Sequence, residues 1–172
     1  SHDFGHRGFS SKKEMISFVN FLSDFGRVLI TSEIVLPKVL EKHRYTLSPL
    51  EMHNLLYYAS MYVGEGHTMA TESAILGTPS IIISSRMSKK GEKVIPNLGN
   101  HVDLQNYGLL SAFQNFPSAI SKIKDLLSNN KSKVKWRRRR DLMLKDKISV
   151  TDFVVDIIDR YPTSLKNIRN NL

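Results

Sequence analysis

A chain of 172 residues without cysteine has room for one domain with a real core and excludes disulfide and thiolate chemistry. It shows no secretory leader and no long apolar run, so membrane anchoring is not expected and the chain reads as cytoplasmic. Its 25 basic and 16 acidic residues leave a formal charge of +9, which favours anionic partners such as sugar nucleotides, nucleic acid or a membrane surface without choosing among them.

The chain opens on SHDFGHRGFS, where His2, Asp3, His6 and Arg7 crowd a glycine-containing segment. Histidine and arginine before a helix N-terminus can form an anion site, although a polar loop or a cloning scar would read the same way. A helix is predicted over Ser11 to Phe25, because Met15, Ile16, Val19, Leu22 and Phe25 recur near helical spacing and Ser10 or Ser11 can cap it. Arg27 to Ser32 is a short β-branched run after Gly26 and predicts a buried strand, and Pro37 to His43 predicts one or two helical turns. Ser48-Pro49-Leu50-Glu51 supplies a cap, a first-position proline and a capping-box acid, so a helix is predicted from Pro49 to Ser60. His53, Tyr57 and Tyr58 within it read first as structural residues.

The centre of the chain is Tyr62 to Ser85, YVGEGHTMATESAILGTPSIIISS, which reads as strand, glycine turn, helix and second strand. Gly64 and Gly66 let the backbone turn sharply and present N–H groups to a phosphate. The helix runs through Met69, Ala70, Glu72, Ala74 and Leu76 until Gly77, as a left-handed cap, and Pro79 stop it. Thr68 and Glu72, four apart, share a helix face just past the turn, where a carboxylate could accept ribose hydroxyls. An ordinary strand-helix-strand unit with a first-turn acid on the helix dipole accounts for the same spacing.

Arg86 to Tyr107 lacks periodicity and predicts a long loop with a short helix, in which Arg86 and Lys89 are either ligand contacts or solvated charges. Gly108 to Phe113 predicts a last strand and Pro117 to Leu127 a helix. A closing helix or helix pair is expected from Lys133 to Tyr161, basic at its start and apolar on one face through Leu142, Leu144, Ile148, Phe153, Val154, Ile157 and Ile158. The basic run KSKVKWRRRRD invites a nucleic-acid reading with Trp136 stacked on a base, but four successive arginines spread around a helix and make no groove-reading face, so that reading is disfavoured. The six histidines form no recognisable ligand spacing, and neither a metal nor a cofactor is expected. The alternation of elements, with strands near 27–32, 62–64, 80–84 and 108–112, predicts a three-layer α/β Rossmann-like domain with a mostly parallel sheet.

The stretch GEGHTMATESAILGTPS resembles the G-G-T-M-x-x-E-(A/S)-A-x-L-G-T-P signature of the prokaryotic domain of unknown function 354 family. SHDFGHRGFS is similar to that family's S-H-D-x-G-x-x-G-x-S segment, and WRRRRDLMLKDKISVTDFVVDII to its closing helices. Members of the family resemble the glycosyltransferase-B fold and, more loosely, UDP-N-acetylglucosamine 2-epimerase. The resemblance implies the nucleotide-sugar-binding, C-terminal half of such a fold. In it Gly64, Gly66, His67 and Thr68 would hold the diphosphate, Glu72 the ribose, and His2 with Arg7 would close over the phosphates. On this reading residues 1–172 are a single domain and a fragment of a two-domain protein. Its partners would be a UDP-sugar donor, a missing N-terminal domain, and a second copy through an exposed helix or sheet edge. The fragment by itself would turn nothing over. The chain departs from the signature at Glu65-Gly66-His67, where His67 takes the place of the second of two adjacent glycines. A non-catalytic ligand- or partner-binding module is the alternative, and the sequence does not separate them.

Overall fold

The computed structural model describes residues 9, 11–32, 35–46, 48–85, 87–90, 93–96 and 98–163. Helix α1 (Lys12–Ser23) starts where the Ser11 hydroxyl accepts the Glu14 N–H at 3.1 Å, and it buries Phe18 and Val19. Turns of 3-10 helix follow at Lys38–His43 and Pro49–Glu51, the second leading into α2 (Met52–Tyr58). The capping signal at Ser48 is therefore real, with its hydroxyl 3.2 Å from the Leu50 N–H, but it nucleates a tight turn before the α-helix.

Strand β1 (Tyr62–Gly64), α3 (His67–Ile75) and β2 (Ser80–Ile83) form the central unit. A hairpin, β3 (Ser88–Lys90) and β4 (Lys93–Ile95), then α4 (Gly99–Asn106), leads to β5 (Leu110–Phe113). Helices α5 (Phe116–Ser128), α6 (Ser132–Asp146) and α7 (Val150–Asp159) close the chain. The segment 86–107, expected as mostly loop, thus contains an antiparallel hairpin and a helix of two turns.

The fold is α/β, with a parallel sheet in the order β1-β2-β5. Every residue of β2 is buried, as a central parallel strand covered on both faces requires. Ser80 donates to the Ala70 carbonyl at 2.8 Å, so Ser80 and Ile82 face α3, and the pleat turns Ile81 and Ile83 to the opposite face. The α5 face carries its own aromatic packing: Phe116 lies 3.6 Å from Phe9, nearly parallel, and 4.5 Å from Phe18 of α1. Tyr62 pairs with Ser80 and Gly64 with Ile82, which puts both on the α3 side of the sheet. This placement decides what the glycines do.

The strand predicted over residues 27–32 does not form. Only Ile30 pairs, with Arg44, through Ile30 N–H to His43 carbonyl at 2.7 Å and Tyr45 N–H to Ile30 carbonyl at 2.8 Å. Its partner is helical up to His43, so a longer ladder has nothing to pair with. The β-branched residues Val28 and Ile30 instead pack on a small cluster of Val19, Leu36 and Leu40.

The chain divides into two compact units, residues 1–140 and 141–172. In the second, α7 is capped by Ser149, whose hydroxyl lies 3.3 Å from the Asp152 N–H, and it buries no residue. Ile148, Val150, Phe153, Val154, Val155 and Ile158 are exposed. Among the described residues no helix is long and apolar enough to cross a membrane.

Candidate phosphate site at the start of the third helix

Helix α3 begins at the carboxyl end of β1, the edge of a parallel sheet where ligands of such folds collect. Gly66 is its N-cap and, being glycine, brings no side chain of its own to satisfy the first N–H groups. The backbone N–H groups of His67, Thr68 and Met69 have no intrahelical acceptor, so with the helix dipole they suit an anion. The far end of α3 is closed by a Schellman motif: Gly77, at φ 77°, donates to Ala74 at 3.0 Å and Thr78 donates to Ser73 at 3.0 Å. Thr78 then anchors the connection, its hydroxyl donating to the Leu56 carbonyl at 2.9 Å.

The two turn glycines serve a neighbour in the chain. A Cβ at Gly64 would come within 2.7 Å of the Tyr62 hydroxyl, and one at Gly66 within 3.1 Å. The Tyr62 phenol folds over the turn and donates to the Gly66 carbonyl at 3.2 Å. Burial pushes the Tyr62 phenol up to about 12, against the opposing bond to Gly66, with Glu65 adding to the rise. Gly66 has φ −72°, so its glycine answers to this close approach and not to a left-handed backbone. The Tyr62 phenol thus occupies the space beside the two glycines, while the first N–H groups of α3 lie beyond it in the chain.

Thr68 is exposed, and Glu72 lies in the second turn of α3. That position removes the helix-dipole account of Glu72, since the effect fades beyond the first turn. Glu72 instead lies 3.5 Å from Nε2 of His53 on α2, a pair whose side chains are 34% and 70% exposed. His53, given no role from sequence, is thus the neighbour of the proposed ribose acceptor. His2, Arg7 and Arg86 lie outside the described residues, and Lys89 is placed in β3, its backbone paired with Val94. An open cleft of about 520 Å³ runs elsewhere, along β5, lined by residues including Ser111, Phe113 and Lys122 with Trp136 and Arg139 of the basic run; among the described residues none of those chosen for the nucleotide site borders it.

Sequence reasoning missed His101. This α4 histidine is fully buried, with Nδ1 3.4 Å from Nδ1 of His67, and Nε2 2.9 Å from the Thr71 hydroxyl and 3.2 Å from the His67 carbonyl. Asn100 Nδ2 donates to the same Thr71 hydroxyl at 3.4 Å. No spacing signal links residues 67 and 101; the crossover from α3 to α4 brings them together. Burial pushes the His101 pKa down, the His67 carbonyl opposes this, and the His67 ring adds to the lowering. The unfolded chain therefore binds more protons than the folded one below the ordinary histidine value near 6.5. Stability should be fully present above that pH and fall as the pH drops toward the depressed folded value. Urea midpoints at stepped pH should show this loss, and His101→Gln should flatten it.

The basic run of α6 is committed to the fold. Lys133 Nζ donates to the Tyr57 carbonyl and, at 2.8 Å, to that of Ala59. Arg140 reaches the Leu76 carbonyl at 3.4 Å, Arg139 the Gly108 carbonyl at 2.7 Å, and Trp136 Nε1 the Leu109 carbonyl at 2.8 Å. These carbonyls close α2, α3 and α4, where helix dipoles are negative and C-terminal groups lack partners. Trp136 is 3% exposed and so unavailable to stack on a base. Among the described residues no group of three or more acidic or histidine side chains is placed to hold a metal ion. Comparison of the chain with family models, with curated proteins and with solved structures finds no match.

Proposed function

We propose that this chain binds a phosphate-bearing small molecule at the N-terminus of α3, and that a nucleotide sugar, UDP-linked by the resemblance noted above, is the ligand class. The observation that carries the reading is a glycine-capped helix N-terminus at the carboxyl end of a parallel strand, flanked by His67 and Thr68. N–H groups free at the start of a helix stabilise a diphosphate as bound ligand or leaving group, which is the catalytic contribution such a half can make. Glu72 lies one turn further along and has the charge to accept ribose hydroxyls. A cytoplasmic location and a second, acceptor-binding domain belong to the same reading.

Tyr62 favours a second reading, a ligand-binding module without catalysis. With its phenol over Gly64 and Gly66, the turn lacks the deep floor that would enclose a diphosphate. Binding to nucleic acid through Lys131 to Arg140 draws less support, because several of those cations already bond to carbonyls of the fold.

Calorimetric titration with UDP, UDP-sugars and inorganic pyrophosphate tests the proposal. Binding should raise stability by about 2.7 kcal/mol at a ligand concentration a hundredfold above Kd, and no binding by any of the three would overturn it. Glu72→Ala should weaken UDP by about ten- to a hundredfold, the loss of hydrogen bonds to a charged acceptor worth roughly 1.5 to 3 kcal/mol, with pyrophosphate unaffected. The fold should survive, since a partly exposed side-chain pair of this kind contributes about 0 to 1 kcal/mol. Unchanged UDP affinity in this variant would remove the ribose role.

A further inference from the structure

The His67 and His101 rings lie nearly parallel, 5.0 Å apart between centroids, and their contacts assign the hydrogens. His101 Nε2 faces two oxygens, the Thr71 hydroxyl at 2.9 Å and the His67 carbonyl at 3.2 Å; the carbonyl can only accept, so the arrangement that uses both contacts puts a hydrogen on Nε2. A ring buried this completely stays neutral, which leaves His101 Nδ1 bare. The hydrogen between the two Nδ1 atoms, 3.4 Å apart, therefore belongs to His67. A neutral His67 with its hydrogen on Nδ1 has its lone pair on Nε2. His67 is also the first residue of α3 and partly exposed, so it belongs to the same end of the helix as the N–H groups without intrahelical acceptors.

We infer that His101 is a positioning residue that holds His67 in the Nδ1–H tautomer, making His67 Nε2 a general base for a hydroxyl or phosphate O–H at the N-terminus of α3. In the step, the ligand's O–H bond breaks, its proton joins Nε2, and the oxygen keeps the electron pair. The resulting imidazolium retains its Nδ1–H toward His101. The Thr71 hydroxyl and the His67 carbonyl hold the second ring in register, in the way a third group orients the base of a catalytic triad. The nature of the ligand rests on the phosphate-site reading; the tautomer does not.

Long-range proton–nitrogen correlation spectra of the whole chain, recorded above the histidine titration range, test it. His67 should show a pyrrole-type Nδ1 and a pyridine-type Nε2, and His101 the reverse. A pyrrole-type Nε2 in His67 would overturn the inference. In His101→Leu the hydrogen of His67 should move to Nε2, while His101→Gln, whose carbonyl can still accept, should retain the parent pattern; a His67 tautomer unchanged in folded His101→Leu would equally overturn it. Should His101→Leu not fold, the parent spectrum decides alone. Inorganic pyrophosphate should then shift His67 Nε2 with little change at Nδ1. Binding without that shift would overturn the general-base role, and no binding with the expected tautomer would overturn the phosphate-site reading and leave the histidine pair standing.

Discussion

Replacing Trp136 by alanine should remove about 3 to 5 kcal/mol of stability from residues 1–140, read as a fall in the urea midpoint. The indole is 3% exposed, Arg139 lies over it at 4.7 Å, and its N–H satisfies the Leu109 carbonyl at 2.8 Å. Truncation leaves both a cavity and an unpaired acceptor beside β5. Trp136→Phe separates the two: it keeps most of the ring and loses the hydrogen bond, so it should cost about 1 to 3 kcal/mol. A domain has only about 5 to 15 kcal/mol in hand, so Trp136→Ala should be unfolded or nearly so at 37 °C under mild denaturant. A change within about 0.5 kcal/mol, the range of ordinary surface substitutions, would show that α6 does not hold the fold.

Gly77→Ala should be destabilising by roughly 2 to 5 kcal/mol, far beyond what one methyl group suggests. Two effects combine. At φ 77° the backbone of an L-residue is strained by about 1 to 2 kcal/mol. The new Cβ would also meet Arg137 Cγ at 2.9 Å and its Cα at 3.3 Å, so α6 must shift or the connection after α3 must open. Gly26→Ala supplies a strained position without a contact, because its φ of 154° also disfavours an L-residue and a Cβ there meets nothing within 4 Å. Equal losses in the two variants, measured by denaturant titration, would reduce the Gly77 effect to backbone strain alone.

Local chemistry was legible along the chain. The cap at Ser11, the left-handed stop at Gly77 and the strand-turn-helix-strand around Tyr62 each depend on residues a few positions apart, and each formed as read. Arg27 to Ser32 misled because β-branched composition reports a fit to a half-buried surface, and the packed cluster around Leu40 supplies such a surface without a ladder. The turn glycines have a neighbour that their spacing does not name. Their spacing signals close approach of some group to the backbone, and that group includes the phenol of Tyr62, two residues before Gly64.

By itself the amino-acid order determined the α/β class, the positions of β1, α3, β2 and β5, and where α3 begins and ends, because alternation, caps and breakers act over one or two turns. Tertiary structure alone decided the rest. The hydrogen-bond partners of the basic helix lie 27 residues away for Trp136 and 76 for Lys133, so a run that by composition invites a nucleic-acid reading becomes a clamp on three helix ends. His101 is likewise an unremarked histidine until the crossover sets it against His67, 34 residues earlier in the chain. Contacts of that range depend on how whole elements pack, and no local spacing encodes them.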